Sequence, residues 1–242
     1  MFTPLGPTLR ELAVQALSSI ERGYDLLAPK FDETPFRTPD HVLDAVTGAL
    51  RQLGPFDTGL DICCGTGAGV GVLRQVCGER VVGADFSAGM LEAGRSALPE
   101  GAGAPVVDWV RADALALPFA PVFDVGVSLG AFGHFLAKER PELFAQVYAS
   151  LRPGGMFVFP VGAPPRTGSR AYWAQVGFDA VMRVRNALWR PSFVMYYRTF
   201  RLPDVLAELA HAGFAVEFLP LTELGLRPDG GPRCRLVVAR RP

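Results

Sequence analysis

Lysine is almost missing from this 242-residue chain: Lys30 and Lys138 are the only two. The other basic residues are arginines. Together the 24 basic residues meet 24 acidic ones, for a formal net charge of zero. A neutral chain offers no general basic face to a phosphate backbone, so no nucleic acid is expected as its main partner. The scarcity of lysine reads as codon composition, not as function. Long hydrophobic runs are missing too. Gly, Pro or a charge breaks each apolar run well short of the roughly 18 residues a spanning helix needs, so no membrane partner is expected. The opening Met-Phe-Thr-Pro-Leu-Gly-Pro-Thr-Leu-Arg-Glu-Leu-Ala lacks a basic stretch followed by an apolar run. No secretory leader is therefore expected, and the cytoplasm is the expected location. Cysteine is sparse: Cys63, Cys64, Cys77 and Cys234 follow no metal-ligand spacing and read as reduced, partly buried thiols, with no metal.

Apolar residues, by contrast, make up 49% of the chain, enough for a sizeable core. The length suits one domain, or one domain with an elaborated lid. Leu9, Leu12, Ala13, Ala16, Leu17 and Ile20 recur at helical spacing, with Thr8 as N-cap and Gly23 as stop. A second helix is predicted over 39–53, capped by Thr38, with Pro39 in its first turn. Strands are then predicted over 58–63, 80–84, 106–112, 123–128 and 155–161. Helices are predicted from about 70, over 87–94 with Ser87 as cap, and over 138–151. Strands separated by helices imply right-handed crossovers and a parallel sheet. A last helix over 203–212 ends at Gly213. Two strand-like runs, 216–220 and 233–239, are joined by a turn rich in Pro, Asp and Gly, so they should be antiparallel.

The chemistry-bearing segment is Leu60-Asp61-Ile62-Cys63-Cys64-Gly65-Thr66-Gly67-Ala68-Gly69. A buried strand runs into a glycine-rich turn that opens a helix, and open α/β sheets bind ligands at the carboxyl ends of their strands. Gly65 and Gly67 allow a tight turn and close approach of a ligand. The dinucleotide fingerprint Gly-x-Gly-x-x-Gly fails in both frames, with Val70 or Val72 in the last position. No tyrosine has lysine four residues later, and no Gly-Lys-Ser/Thr occurs.

The segment resembles motif I of the class I S-adenosylmethionine-dependent methyltransferases, commonly written Asp-Leu-Gly-Cys-Gly-Thr-Gly. Asp61, Cys64, Gly65, Thr66 and Gly67 match, while Cys63 replaces the first glycine and projects a Cβ there. Further stretches follow in the family's order. Val81-Val82-Gly83-Ala84-Asp85-Phe86-Ser87 is similar to the second-strand motif, and Arg111-Ala112-Asp113-Ala114-Leu115 to the third. Phe123-Asp124-Val125-Gly126-Val127-Ser128 is similar to the fourth, and Leu151-Arg152-Pro153-Gly154-Gly155-Met156 to the turn before the fifth strand. One glycine motif alone is weak; five in order, over about 38–161, are not. Tyr24-Asp25, Phe31-Asp32, Asp85-Phe86-Ser87 and Met90-Leu91 resemble the branch related to quinone-biosynthesis C-methyltransferases. That branch is broad, and its quinone substrate is not carried over with the resemblance.

The resemblance implies a Rossmann-like, seven-stranded, mostly parallel sheet with an antiparallel C-terminal hairpin and a helical lid. It divides the single domain into an N-terminal helical cap (1–37), a cofactor core (38–162), a lid insertion (163–200) and the C-terminal helix and hairpin (201–242). S-adenosylmethionine is the implied cofactor, with S-adenosylhomocysteine as product. Asp85 is expected on the ribose hydroxyls, since a carboxylate accepts both hydrogen bonds. Phe86 is expected along the adenine, Met90 and Ala114 beside it, Asp113 on the adenine amino group and Leu129 facing the cofactor. Asp61, Cys63, Cys64, Gly65 and Gly67 make the turn that holds it. Asp61 reads as a hydrogen-bonding partner of the loop, and the cysteines as packing groups.

His134 follows the fourth strand, where the activated methyl should meet its acceptor. It reads equally as a general base, with an ordinary pKa of about 6.5, or as a residue lining the loop. Tyr24, Tyr172, Trp173 and Tyr197 are candidates for the acceptor pocket, with packing as the alternative for each. The expected activity is methyl transfer to an O, N or C atom of a small aromatic or apolar metabolite, by a monomer or homodimer. Two readings from other classes stay open at this point: a nicotinamide oxidoreductase on a similar sheet, and a non-catalytic cofactor-binding protein. Metal-assisted transfer is disfavoured because Asp124 starts its strand, at the wrong end for the site. A nucleic-acid methyltransferase is disfavoured because neither Asn-Pro-Pro-Tyr nor Asp-Pro-Pro-Tyr follows the fourth strand.

Overall fold

Seven strands form one sheet in the order β3-β2-β1-β4-β5-β7-β6. They are β1 (Phe56–Ile62), β2 (Cys77–Asp85), β3 (Val106–Arg111), β4 (Phe123–Val127), β5 (Leu151–Gly162), β6 (Ala215–Pro220) and β7 (Cys234–Arg240). The computed structural model describes residues 6–242 except 9, 12, 13, 15–17, 35, 100, 102, 166 and 190–201. β1 to β5 pair in parallel, and β7 pairs antiparallel with both β5 and β6. This is the sheet expected from the sequence. The strand order reverses between β1 and β4, which opens a crevice at the carboxyl ends of the central strands.

Alternation along the strands splits the core in two. On one face Val81, Val125, Val158 and Val238 meet Val46 and Leu50 of the helix Asp40–Leu53 and Val70 and Leu73 of the short helix Ala68–Leu73. On the other, Leu60, Ile62, Phe157 and Phe159 pack on Phe144 of the helix Arg140–Ser150 and Leu209 of the helix Leu202–His211. Trp109 of β3 lies in a slot floored by glycine. A Cβ on Gly67 or on Gly94 would come within 2.6 Å of its ring.

Several predicted boundaries moved. Thr8 and Glu11 bond reciprocally, the pattern of a capping box: Thr8 Oγ1 accepts from Glu11 N at 3.2 Å while Thr8 N donates to Glu11 Oε2 at 2.6 Å. Leu9, Leu12, Ala13, Ala16 and Leu17 lie outside the described residues. Gly23 stops nothing. Ser19 starts a separate helix, Ile20–Leu27, by accepting from Arg22 N, and that helix runs through Gly23. Thr38 does not cap the next helix either. Its N-cap is Pro39, which makes no side-chain hydrogen bond and already has extended backbone. β5 starts at Leu151, not 155, because a register slip between the pairs Phe123↔Leu151 and Val125↔Met156 absorbs the Pro-Gly-Gly turn. In the expected lid, the helix Arg170–Trp189 is described. Among the described residues no helix is long and apolar enough to cross a membrane.

Candidate cofactor and acceptor site

A cavity of about 1020 Å³ opens at the carboxyl ends of β1 to β4. Its floor is the turn after β1. Cys63 there has φ 58°, the left-handed conformation that glycine takes without cost. So the backbone keeps the shape of a glycine motif although a side chain occupies the position. Gly65 has φ 53°, and a Cβ built on it meets no atom within 4 Å because it would project into the cavity.

Asp85 ends β2 at the cavity wall and is only 7% exposed. Its Oδ2 accepts from Gly65 N and its Oδ1 from Ser87 N, both at 2.9 Å. Burial pushes its pKa above the usual carboxylate range; amides of Ser87, Gly65 and Phe86 oppose this, and the charge of Asp25 adds to it. Phe86, Met90, Ala114 and Leu129 line the same cavity, as do Cys63 and Cys64. Burial raises both thiols well above their ordinary pKa, so neither is a ready nucleophile. Asp113 also lines the cavity, with Oδ1 accepting from Leu115 N at 2.9 Å.

Two residues expected on the cofactor are not in the lining. Asp61 lies beneath the turn, 1% exposed, against the start of the helix Ala68–Leu73. A Cβ on Gly69 would come within 2.6 Å of its carboxylate. Burial raises its pKa to about 8, with the amides of Val70 and Gly69 opposing and the charge of Asp85 adding. Gly67 is the left-handed N-cap of that helix, at φ 91°, and its missing side chain makes room for Trp109. Both shape the turn from below.

The cavity is also lined by Tyr24 and His134, 110 residues apart in the chain. The Tyr24 hydroxyl is hydrogen-bonded to His134 Nε2 at 2.6 Å, with the rings edge-on at 5.4 Å. His134 ends a 3-10 turn, Ala131–His134, that follows β4. Tyr172 and Trp173 stack edge-on with each other at 5.3 Å, and Trp173 is 62% exposed. Neither belongs to the described lining of the cavity. Tyr197 lies outside the described residues.

The stretch 21–38 was underestimated from the sequence. Besides Tyr24 it supplies Glu21, Phe31, Phe36, Arg37 and Thr38 to the lining. Asp25 accepts from Ser87 Oγ at 2.6 Å and from Gly89 N at 2.9 Å, and Asp32 accepts from Thr66 Oγ1 at 2.7 Å. Glu21 pairs with Arg111, whose Nε donates to Phe86 O at 3.1 Å. The Tyr-Asp and Phe-Asp pairs were the available signal, but no local pattern tells which distant loop a carboxylate will reach.

A family profile described as "Methyltransferase domain" matches residues 60–155. A 2-phytyl-1,4-naphtoquinone methyltransferase from Thermosynechococcus vestitus is 29% identical over 164 residues, covering 66% of this chain and 71% of that protein. A demethylmenaquinone methyltransferase from Symbiobacterium thermophilum is 30% identical over 191 residues, covering 73% and 76%. Among solved structures, magnesium protoporphyrin IX methyltransferase from Synechocystis PCC 6803, with bound S-adenosylhomocysteine, shares the fold at a TM-score of 0.58. Its identity is 18%, with 82% of this chain and 81% of that one covered.

Proposed function

The chain belongs to the class I S-adenosylmethionine-dependent methyltransferases, and from that premise we propose that it methylates a ring carbon of a small quinol-type aromatic, with Tyr24 and His134 taking the proton. The observation that carries this reading is a single cavity lined by both a buried carboxylate cradle and a hydrogen-bonded tyrosine–histidine pair. The names of the relatives point to the acceptor class. The aromatic walls Tyr24, Phe31, Phe36 and Phe135 suit a flat apolar ring. Membership of the family removes the nicotinamide alternative.

The cradle fits an adenosyl group. Gly65 leaves open the space a Cβ would fill, and Asp85 presents a buried carboxylate to a diol at that wall. Phe86, Met90 and Ala114 would then hold the adenine, and Asp113 would accept from its amino group. S-adenosylmethionine, when bound, supplies a methyl group already activated by the sulfonium charge. The protein's own work is to hold the acceptor in line, exclude water and manage one proton. Replacing ring C–H by C–CH₃ releases one proton overall. A quinol hydroxyl that gives up its proton raises the electron density of the neighbouring ring carbon. A tyrosine hydroxyl donating to Nε2 can take that proton while passing its own to the imidazole. The ring C–H proton, lost after the new bond forms, restores the hydroxyl and the aromatic ring.

Calorimetric titration with S-adenosylmethionine, S-adenosylhomocysteine and NADH tests the cradle. The two sulfur ligands should bind in the micromolar range and NADH not at all. Asp85→Ala should weaken both at least tenfold, roughly the loss of a charge-assisted hydrogen bond. Mass spectrometry of products from reduced 1,4-naphthoquinol tests the acceptor. Methyl on a ring carbon is expected, with kcat lowered about 10²–10³-fold in His134→Asn, the usual weight of a general base. Methylation of only an amine or a carboxylate in an acceptor panel would replace the quinol reading.

A further inference from the structure

The stretch 20–38 touches the loop at the end of each of four successive strands. Asp32 holds Thr66 after β1, and Asp25 holds Ser87 and Gly89 after β2. Glu21 pairs with Arg111 at the end of β3, and Tyr24 meets His134 after β4. Three of these contacts fasten the stretch to the cofactor side; the fourth makes the pair that faces the acceptor. Asp25 directly follows Tyr24 in the helix Ile20–Leu27, so whatever fixes Asp25 fixes the entry of Tyr24. The approach at this point is close. A Cβ on Gly89 would lie 2.9 Å from Asp25 Cα and 3.1 Å from its carbonyl oxygen, backbone atoms that cannot swing aside.

We propose that Asp25 is a positioning residue for methyl transfer: by holding Ser87 and Gly89 it seats the helix Ile20–Leu27 so that the Tyr24 hydroxyl meets His134. The inference rests on the reading of Tyr24 and His134 as the pair that takes the acceptor's proton. Ser87, one of the two residues that grip Asp25, directly follows Asp85 and Phe86, so the cofactor cradle and the acceptor-side pair share one fastener. Asp25 acts through Tyr24 and touches no reacting atom.

The test uses Gly89→Ala, Asp25→Ala and Asp25→Asn, each alone and with Tyr24→Phe. Gly89 lies in the first turn of the helix Ala88–Ala97, where alanine is the better helix former, so Gly89→Ala displaces Asp25 without weakening the core. Melting temperatures check this. With both substrates saturating, Gly89→Ala and Asp25→Ala should lower kcat tenfold or more. Asp25→Asn, which keeps an acceptor oxygen, should restore most of it. In the Tyr24→Phe background the same substitutions should change kcat by less than twofold, because their effect runs through the absent hydroxyl. Losses that multiply in that background, or a loss of S-adenosylhomocysteine affinity with kcat intact, would overturn the proposal. If the wild type leaves the quinol unmethylated, the acceptor reading has failed, and the seating is judged by nuclear magnetic resonance. The chain has only three histidines, so the His134 titration can be assigned with His134→Gln. Gly89→Ala and Asp25→Ala should move that titration as Tyr24→Phe does; a titration unmoved by both would sink the inference.

Discussion

Asp61 and Asp85 are both buried carboxylates near the ends of neighbouring strands, yet only Asp85 reaches the cavity. Their titrations should therefore be read by different experiments. Asp61 has its pKa raised by burial from 3.8 to about 8. Between those values the folded chain binds a proton that the unfolded chain has released. Its stabilising contribution is thus complete below the unfolded value and is lost as pH rises towards 8. Thermal unfolding of the ligand-free protein should show a melting temperature that falls from pH 6 to pH 9, and Asp61→Asn should flatten that slope. Equal slopes would mean the Asp61 charge is accommodated. Asp85 is also raised by burial, but in the role proposed for it the ionised form is the one that would accept from two ribose hydroxyls. Binding of S-adenosylhomocysteine should then release a proton and tighten as pH rises through that titration. Calorimetry in buffers of different ionisation enthalpy measures the release directly, and Asp85→Asn should abolish it while Asp61→Asn should not.

At the scale of elements, one ion pair joins two helices that the sequence keeps 50 or more residues apart. Arg140 in the helix Arg140–Ser150 meets Glu208 in the helix Leu202–His211 through two bonds of 2.8 Å, and its side chain is only 3% exposed. Removing Glu208 takes two charge-assisted hydrogen bonds from a buried guanidinium. Glu208→Ala should cost about 3 kcal/mol in urea unfolding, near the low end for a broken buried pair because Glu208 keeps some contact with water. A cost under about 1 kcal/mol would class the pair with surface bridges. No sequence pattern announced this pairing, although every strand and most helices were legible from period and caps. Ser87 was read correctly as a cap because the residue three places on, Met90, offers its amide locally. Gly23 was misread because a glycine marks a stop only where no new cap precedes it, and Ser19 supplies one. Asp85, Phe86 and Leu129 were legible because motif order fixes where strand ends fall. Asp25 and Asp32 were not, because their partners lie 62 and 34 residues away on other loops. Asp61 and Gly67 share the motif with Gly65 but sit below its turn, and a motif cannot tell the two sides apart.

For the whole molecule, zero net charge hides an uneven distribution. Among the described residues the cavity is lined by four carboxylates, Glu21, Asp85, Asp113 and Glu139, against two guanidinium groups, Arg37 and Arg111. Arg111 is already paired with Glu21, and Arg37 with Asp40 at 2.8 Å and Asp32 at 3.8 Å. A neutral exterior gives no long-range steering of charged ligands, whereas an acidic cavity favours a cation locally. S-adenosylmethionine carries a sulfonium charge that S-adenosylhomocysteine lacks, so only the former should feel this excess. At 0.5 M salt the Debye length is about 4 Å, against about 14 Å at 0.05 M, so the partly exposed carboxylates are screened and the buried ones are not. The Kd of S-adenosylmethionine should rise about twofold to fivefold over that range, by an effect of the size expected for half-exposed charges, while that of S-adenosylhomocysteine changes less. Glu139→Gln should reduce the difference between the two ligands. Equal salt dependence for both would mean that discrimination between substrate and product lies in contacts at the methyl itself, and that the acid excess serves only to pair with the arginines around it.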